Sequence, residues 1–141
     1  MKLENYILFS LALLGIFICG IALAACNLDG SDLCRNYELQ TIYSPDGDRK
    51  AVVFQRDCGA TTGFSTQVSI LRSSEKLPNK GGNTFIADTD HGRAPAGQGG
   101  GPEVRLRWVT EERVEVVYDK RARVFRAEET VDGVRIKYEE R

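Results

Sequence analysis

The sequence predicts an all-β protein: a single antiparallel β-domain, a small barrel or sandwich of about eight strands, after an N-terminal signal or anchor helix. Three observations predict it. Residues 6–25, YILFSLALLGIFICGIALAA, carry no charge over 20 positions, whereas the chain after Cys26 is polar and turn-rich. Short apolar–polar alternations recur along that polar part, as half-buried strands require. Turn formers separate them, with 14 Gly and 4 Pro in 141 residues and few long helix-favouring runs. A chain of this length holds one domain and is too short for two comfortable ones.

The apolar segment is an address or an anchor and stands outside the fold. About 20 residues rising about 1.5 Å each would cross a hydrocarbon core of about 30 Å, so an uncleaved transmembrane helix is one reading. The other is an export signal over 1–25, closed by Leu23-Ala24-Ala25-Cys26. A branched apolar residue, two small residues and a Cys resemble the lipobox of bacterial lipoproteins. That resemblance implies cleavage before Cys26 and a diacylglycerol on its thiol, the small residues letting the peptide lie extended in a narrow protease cleft. It implies a place in the bacterial cell envelope, membrane-anchored, with the domain outside the cytoplasm, facing the periplasm or the surface. Cys19 follows Ile16-Phe17-Ile18, too bulky for the same cut.

If Cys19 leaves with the signal and Cys26 is lipidated, Cys34 and Cys58 are left as a pair. In an oxidising compartment such a pair reads as a disulfide. Its loop of roughly 25 residues would contribute about 3 kcal/mol on the chain-entropy estimate. A zinc site lacks partners, since the chain has one His and no CxxC. No cofactor is expected. The 19 Lys+Arg against 20 Asp+Glu, net −1, argue against a nucleic-acid partner, which demands excess cations.

Residues 26–36 then form a tether and 37–141 the β-domain. NYELQTIYS (36–44) reads as a strand, PDGD as a turn and RKAVVFQRDC (49–58) as the hairpin partner. GATTGF is a loop, STQVSILR (65–72) a strand, SSEKLPNKGG a loop and NTFIAD (83–88) a short strand. Residues 89–102 hold five Gly and two Pro; they are irregular and in part mobile. In 103–110 and 113–119, Val104, Leu106, Trp108 and Val114, Val116, Tyr118 share a face. Pairing Trp108 with Val116 and Leu106 with Tyr118 sets Arg105 opposite Asp119. Residues 123–140 read as a hairpin about Asp132-Gly133, pairing Val131 with Val134, Ala127 with Tyr138, Glu128 with Lys137 and Arg126 with Glu139. A helix over 120–129 is the competing reading.

RDCGATTGFSTQV (56–68) groups Asp57, Thr61 and Thr62 beside Cys58. It reads as a binding patch or, more plainly, as a turn in which hydroxyls cap the backbone. ADTDHG (87–92) brings together Asp88, Asp90 and the one His, His91. Such residues serve a metal site or an acid–base pair, but the further ligands of a calcium loop are missing, and a solvated loop is the plainer reading. If connections are simple hairpins, the loops after 49–58 and 83–88 leave at one end, gathering Asp57, Thr61, Thr62, Asp88, Asp90 and His91 on one binding rim. With one His and no GxSxG, nucleophilic hydrolysis lacks its base. Trp108, at strand spacing with Leu106, belongs to the core rather than to a sugar-stacking platform.

SPDGDRKAVVFQRDCGATTGFSTQVSIL with FIADTDHG and GGGPEVRLRW resembles a family of small, uncharacterised exported envelope proteins of bacteria, and implies no activity. The expected function is a non-enzymatic envelope lipoprotein whose β-domain presents a protein- or glycan-binding surface, of inhibitor, assembly or immunity type. Its partners are the membrane, through the anchor, and an envelope protein or glycan. The alternatives are an envelope enzyme or metal-binding domain using Asp57, Asp88, Asp90 and His91, and a structural protein with no ligand.

Overall fold

A computed structural model describes residues 33–59 and 62–141. The apolar segment, Cys26 and Thr61 lie outside the described residues, and the readings that fall on them are not addressed by the fold. The described residues are all-β: β1 (Arg35–Tyr43), β2 (Arg49–Asp57), β3 (Ser65–Arg72), β4 (Phe85–Asp88), β5 (Val104–Thr110), β6 (Arg113–Tyr118), β7 (Arg123–Ala127), β8 (Thr130–Val131) and β9 (Val134–Glu140). They make a five-stranded sheet, in the order β1-β2-β3-β4-β7, and a four-stranded sheet, β5-β6-β9-β8. The first strand begins two residues before the expected domain start, and no helix forms over 120–129.

Period-two alternation builds the core. Ala51, Val53, Val68, Ile70, Phe85 and Ala87 of the first sheet meet Val104, Val114, Val116, Tyr118, Val134 and Ile136 of the second in one buried cluster. The sheets are therefore packed face to face as a sandwich. Phe85, fully buried, joins them: its ring centroid lies 4.9 Å from that of Tyr118 and 5.7 Å from that of Tyr138. The Tyr138 hydroxyl donates to the carbonyls of Thr84 (3.2 Å) and Glu128 (2.8 Å). Along another margin Trp108 packs partly buried against the core, and its Nε1 donates to the Ile42 carbonyl at 3.2 Å.

Val52 and Phe54 are equally buried but point to the other face of the first sheet. The β3–β4 loop crosses that face. Asn36 donates to the carbonyls of Pro78 and Lys80, Asn79 donates to that of Cys34, and the Gln67 side-chain oxygen accepts from Gly82 N–H. A central strand covered on both faces explains why AVVF runs apolar without alternation.

Three pairings depart from expectation. β5 and β6 pair Leu106 with Val116 and Trp108 with Val114, two residues from the predicted register, so Arg107 rather than Arg105 meets an acid across the ladder, Glu115. A two-residue shift leaves every side chain on its face, so patterning cannot detect it; the tight turn at Glu111-Glu112 decides. The predicted 123–140 hairpin pairs only Val131 with Val134 and Thr130 with Arg135. Its arms then part: β7 joins the edge of β4, and β9 lies beside β6. The pairs Ala127–Tyr138, Glu128–Lys137 and Arg126–Glu139 do not form. Because β6 and β9 run parallel, the domain is antiparallel in every strand pair but one.

Candidate functional site

β2 and β4 both run antiparallel to β3, so they end at the same end of the first sheet. Arg56 faces Ser65, and Ser65 faces Asp88. Cys34 and Cys58 are bonded there, with Cα atoms 3.9 Å apart. Asp57, Thr62, Asp88, Asp90 and His91 thus lie at or beyond one rim of the sheet.

Their polar atoms are spent locally. Asp57 Oδ1 accepts from Gly59 N–H at 2.9 Å, and the Thr62 hydroxyl donates to the Gly59 carbonyl at 3.0 Å. These are the self-capping bonds of a tight turn. Asp88 takes the guanidinium of Arg123 from β7 and the backbone N–H of Asp90. Partial burial pushes the Asp88 carboxyl up, but the hydrogen bonds from Arg123 and Asp90, with the charges of Arg123 and His91, outweigh it and hold it below the ordinary carboxylate range. Asp90 pairs with Arg93 at 2.9 Å. Asp90 and His91 sit at φ 48° and 58°, a left-handed pair that costs about 1–2 kcal/mol per residue. The Asp88 cap and the Ala94 N–H donating to the Thr89 carbonyl (3.0 Å) hold that turn. His91 stands exposed. No three His, Cys, Asp or Glu among the described residues are grouped to hold a metal ion.

Away from the rim, a cavity lies along the margin where β1 and β5 face each other. A β-bulge between Glu38 and Gln40 bends the edge strand β1. Trp108 closes the margin at Ile42, while nearer Leu39 it opens into a cleft of about 560 Å³. Leu39, Val53, Pro102 and Val104 supply apolar walls; Gln40, Gln98, Glu103 and Arg105 supply polar ones. A second cavity of about 240 Å³ adjoins it, sharing Gly97, Glu103 and Arg105. Arg105 and Glu103 pair at 3.0 Å, and the hydrogen bond that Arg105 donates to that carboxylate raises the guanidinium pKa further.

The Gly-rich segment forms part of the wall of both cavities and is irregular, as expected, with several bonds holding it. Ala96 bridges Pro102, Gly97 N–H donates to the Gly101 carbonyl at 2.7 Å, and the buried Thr66 hydroxyl donates to the Pro102 carbonyl at 2.7 Å. Gly101 lies so close to β3 that a Cβ there would stand 2.5 Å from Thr66 Oγ1, which explains a glycine where φ does not demand one. Sequence reasoning missed this cleft, because its lining comes from a bulge and a loop packing that no local pattern encodes. The cluster of glycines before PEVRLR was the available signal. Arranged this way, the cleft offers amide, guanidinium and carboxylate groups around an apolar floor, suited to recognition by hydrogen bonds and apolar contact.

Compared with protein families, with curated proteins and with solved structures, the chain matches none of them.

Proposed function

We propose that this protein is a bacterial cell-envelope lipoprotein whose β-domain acts without catalysis, presenting a binding surface to an envelope protein or glycan. The observation that carries the reading is the Cys34–Cys58 bond at the start of the domain. It accounts for both cysteines beyond Cys26, leaving only Cys19 and Cys26, both at the apolar run. A structural disulfide belongs to an oxidising, exported compartment. Export and an apolar leader ending in LAAC together favour an acylated Cys26, and one diacyl unit with a further chain anchors stably. Binding is assigned to the cleft margin, because the rim's acids already serve turns and arginines.

Intact-mass measurement on protein extracted from membranes tests the anchor. Loss of residues 1–25 with added acyl mass is expected, and Cys26→Ala should abolish processing there. An intact N-terminus on the parent chain would replace the lipid anchor by a transmembrane one. Capture from envelope extract tests the binding surface. The pair Gln98→Ala and Arg105→Ala should reduce capture about fivefold or more, as losing about 1 kcal/mol at an interface does. Unchanged capture would remove the cleft from the reading.

A further inference from the structure

One end of the sandwich carries three of its exposed large apolar side chains. Leu33 is 77% exposed, Tyr37 50% and Phe64 45%. Register gathers them. Leu33 precedes Cys34, which is bonded to Cys58 at the end of β2; Phe64 immediately precedes β3, whose Ser65 faces Arg56; and Tyr37 faces Gln55. Tyr37 and Phe64 fall on the inward side of the first sheet, where the Gly-rich loop lies: Gly99 is against Gln55 and Gly100 against the Phe64 ring. The loop packs against Phe64, and both Phe64 and Tyr37 stay exposed.

Chain length says what this end meets. Leu33 is seven residues from Cys26, through Asn27-Leu28-Asp29-Gly30-Ser31-Asp32. Fully extended, that stretch reaches about 25 Å, and less as a flexible coil. If Cys26 is at the lipid surface, the end of the domain bearing Leu33 cannot stand far from it. We propose that this end rests on the membrane, with Leu33, Tyr37 and Phe64 seated in the lipid interface. The proposal rests on the anchored reading above and holds for either a lipid on Cys26 or an uncleaved helix. A tyrosine suits such a site because its ring enters the apolar boundary while its hydroxyl stays among headgroups. Asp57, Asp88, Asp90 and His91 then face the headgroup layer, and a partner approaches from the cleft margin.

The test uses the full chain as isolated from membranes, reconstituted in vesicles of phosphatidylcholine brominated on its acyl chains with a minority of phosphatidylglycerol. Tyr37→Trp and Phe64→Trp are two independent reporters. Tyr43→Trp, at the far end of β1 and 58% exposed, is the control, and the Trp108 signal of the parent chain is subtracted. At least twofold stronger bromine quenching at positions 37 and 64 than at 43 is expected. A vesicle-bound chain quenched no more at 37 and 64 than at 43 overturns the docked end and leaves the anchor standing; a protein or water then occupies that end. A chain that stays in the aqueous fraction overturns the anchored reading and the docked end together.

Discussion

Segments 35–57 and 123–140 each fold around an Asp-Gly turn, and their arms go different ways. In the first, Gly47 takes φ 76°, its N–H donates to the Ser44 carbonyl, and Ser44 pairs through backbone with Arg49. From there β1 and β2 stay paired, across one bulge, as far as Arg35 and Asp57. In the second, Asp132 and Gly133 take φ 48° and 81°, and pairing stops at Thr130 with Arg135. A turn of this kind governs the residues beside it; what the arms do next depends on where each can bury its apolar face and satisfy its backbone. Here two sheet edges wait, beside β4 and beside β6. Sending β7 to one and β9 to the other covers both, and an uncovered edge leaves a row of unpaired N–H and C=O groups. Val124 and Val134 thereby reach the core from opposite sheets.

The largest break in the second region is expected from Phe85→Ala. Phe85 is fully buried between Tyr118 and Tyr138, beside the point where β7 and β9 diverge. Denaturant unfolding should show a loss of about 3–5 kcal/mol; a loss under about 1 kcal/mol would mean that the ring does not hold the sheets together. In the first region the corresponding lesion is removal of the disulfide by Cys34→Ser with Cys58→Ser. It should cost about 3 kcal/mol, and hydrogen exchange should show the added opening concentrated in β1 and β2. Uniform opening across both sheets would deny that the bond belongs to one hairpin.

A smaller effect separates the divergence itself from general packing. Tyr138→Phe keeps the ring and removes the hydroxyl that donates to Thr84 and Glu128. About 1 kcal/mol of stability should go with it. Burial pushes the Tyr138 hydroxyl above its ordinary pKa, with the Glu128 charge adding to it, so that bond stays intact at mildly alkaline pH. The smallest effect concerns Glu115, which holds Arg107 of β5 and Lys137 of β9 across the second sheet. Those hydrogen bonds, Arg107 first, keep its carboxyl below the usual 4.5. A depressed pKa means stability present above about pH 4.5 and lost as pH falls through the folded value. Melting followed against pH should therefore show the parent ahead of Glu115→Gln at neutral pH, with the gap closing in acid. A gap independent of pH would assign the role of Glu115 to packing.

Strand identity was legible because side chains alternate in EVRLRW and RVEVVY, and because AVVF is a short apolar run of β-formers closed by a turn. The turns at Asp46-Gly47 and Asp132-Gly133 were legible because few residues adopt positive φ without cost. The shared end of Asp57 and Asp88 followed from counting strand directions. The roles of those carboxylates did not, because Arg123 lies 35 residues beyond Asp88 and reaches it only through β7.

Taken by itself, the sequence determined the all-β class, the strand and turn positions, and which side of each strand is apolar, since these follow from backbone sterics and a period of two. Tertiary structure alone decided the register of β5 on β6, the parting of β7 from β9, the parallel β6–β9 pair and the cleft between β1 and β5. Each of these alternatives leaves the local pattern unchanged and differs only in which distant edges are paired and which faces are covered, and that free energy exists only once both sheets are in place.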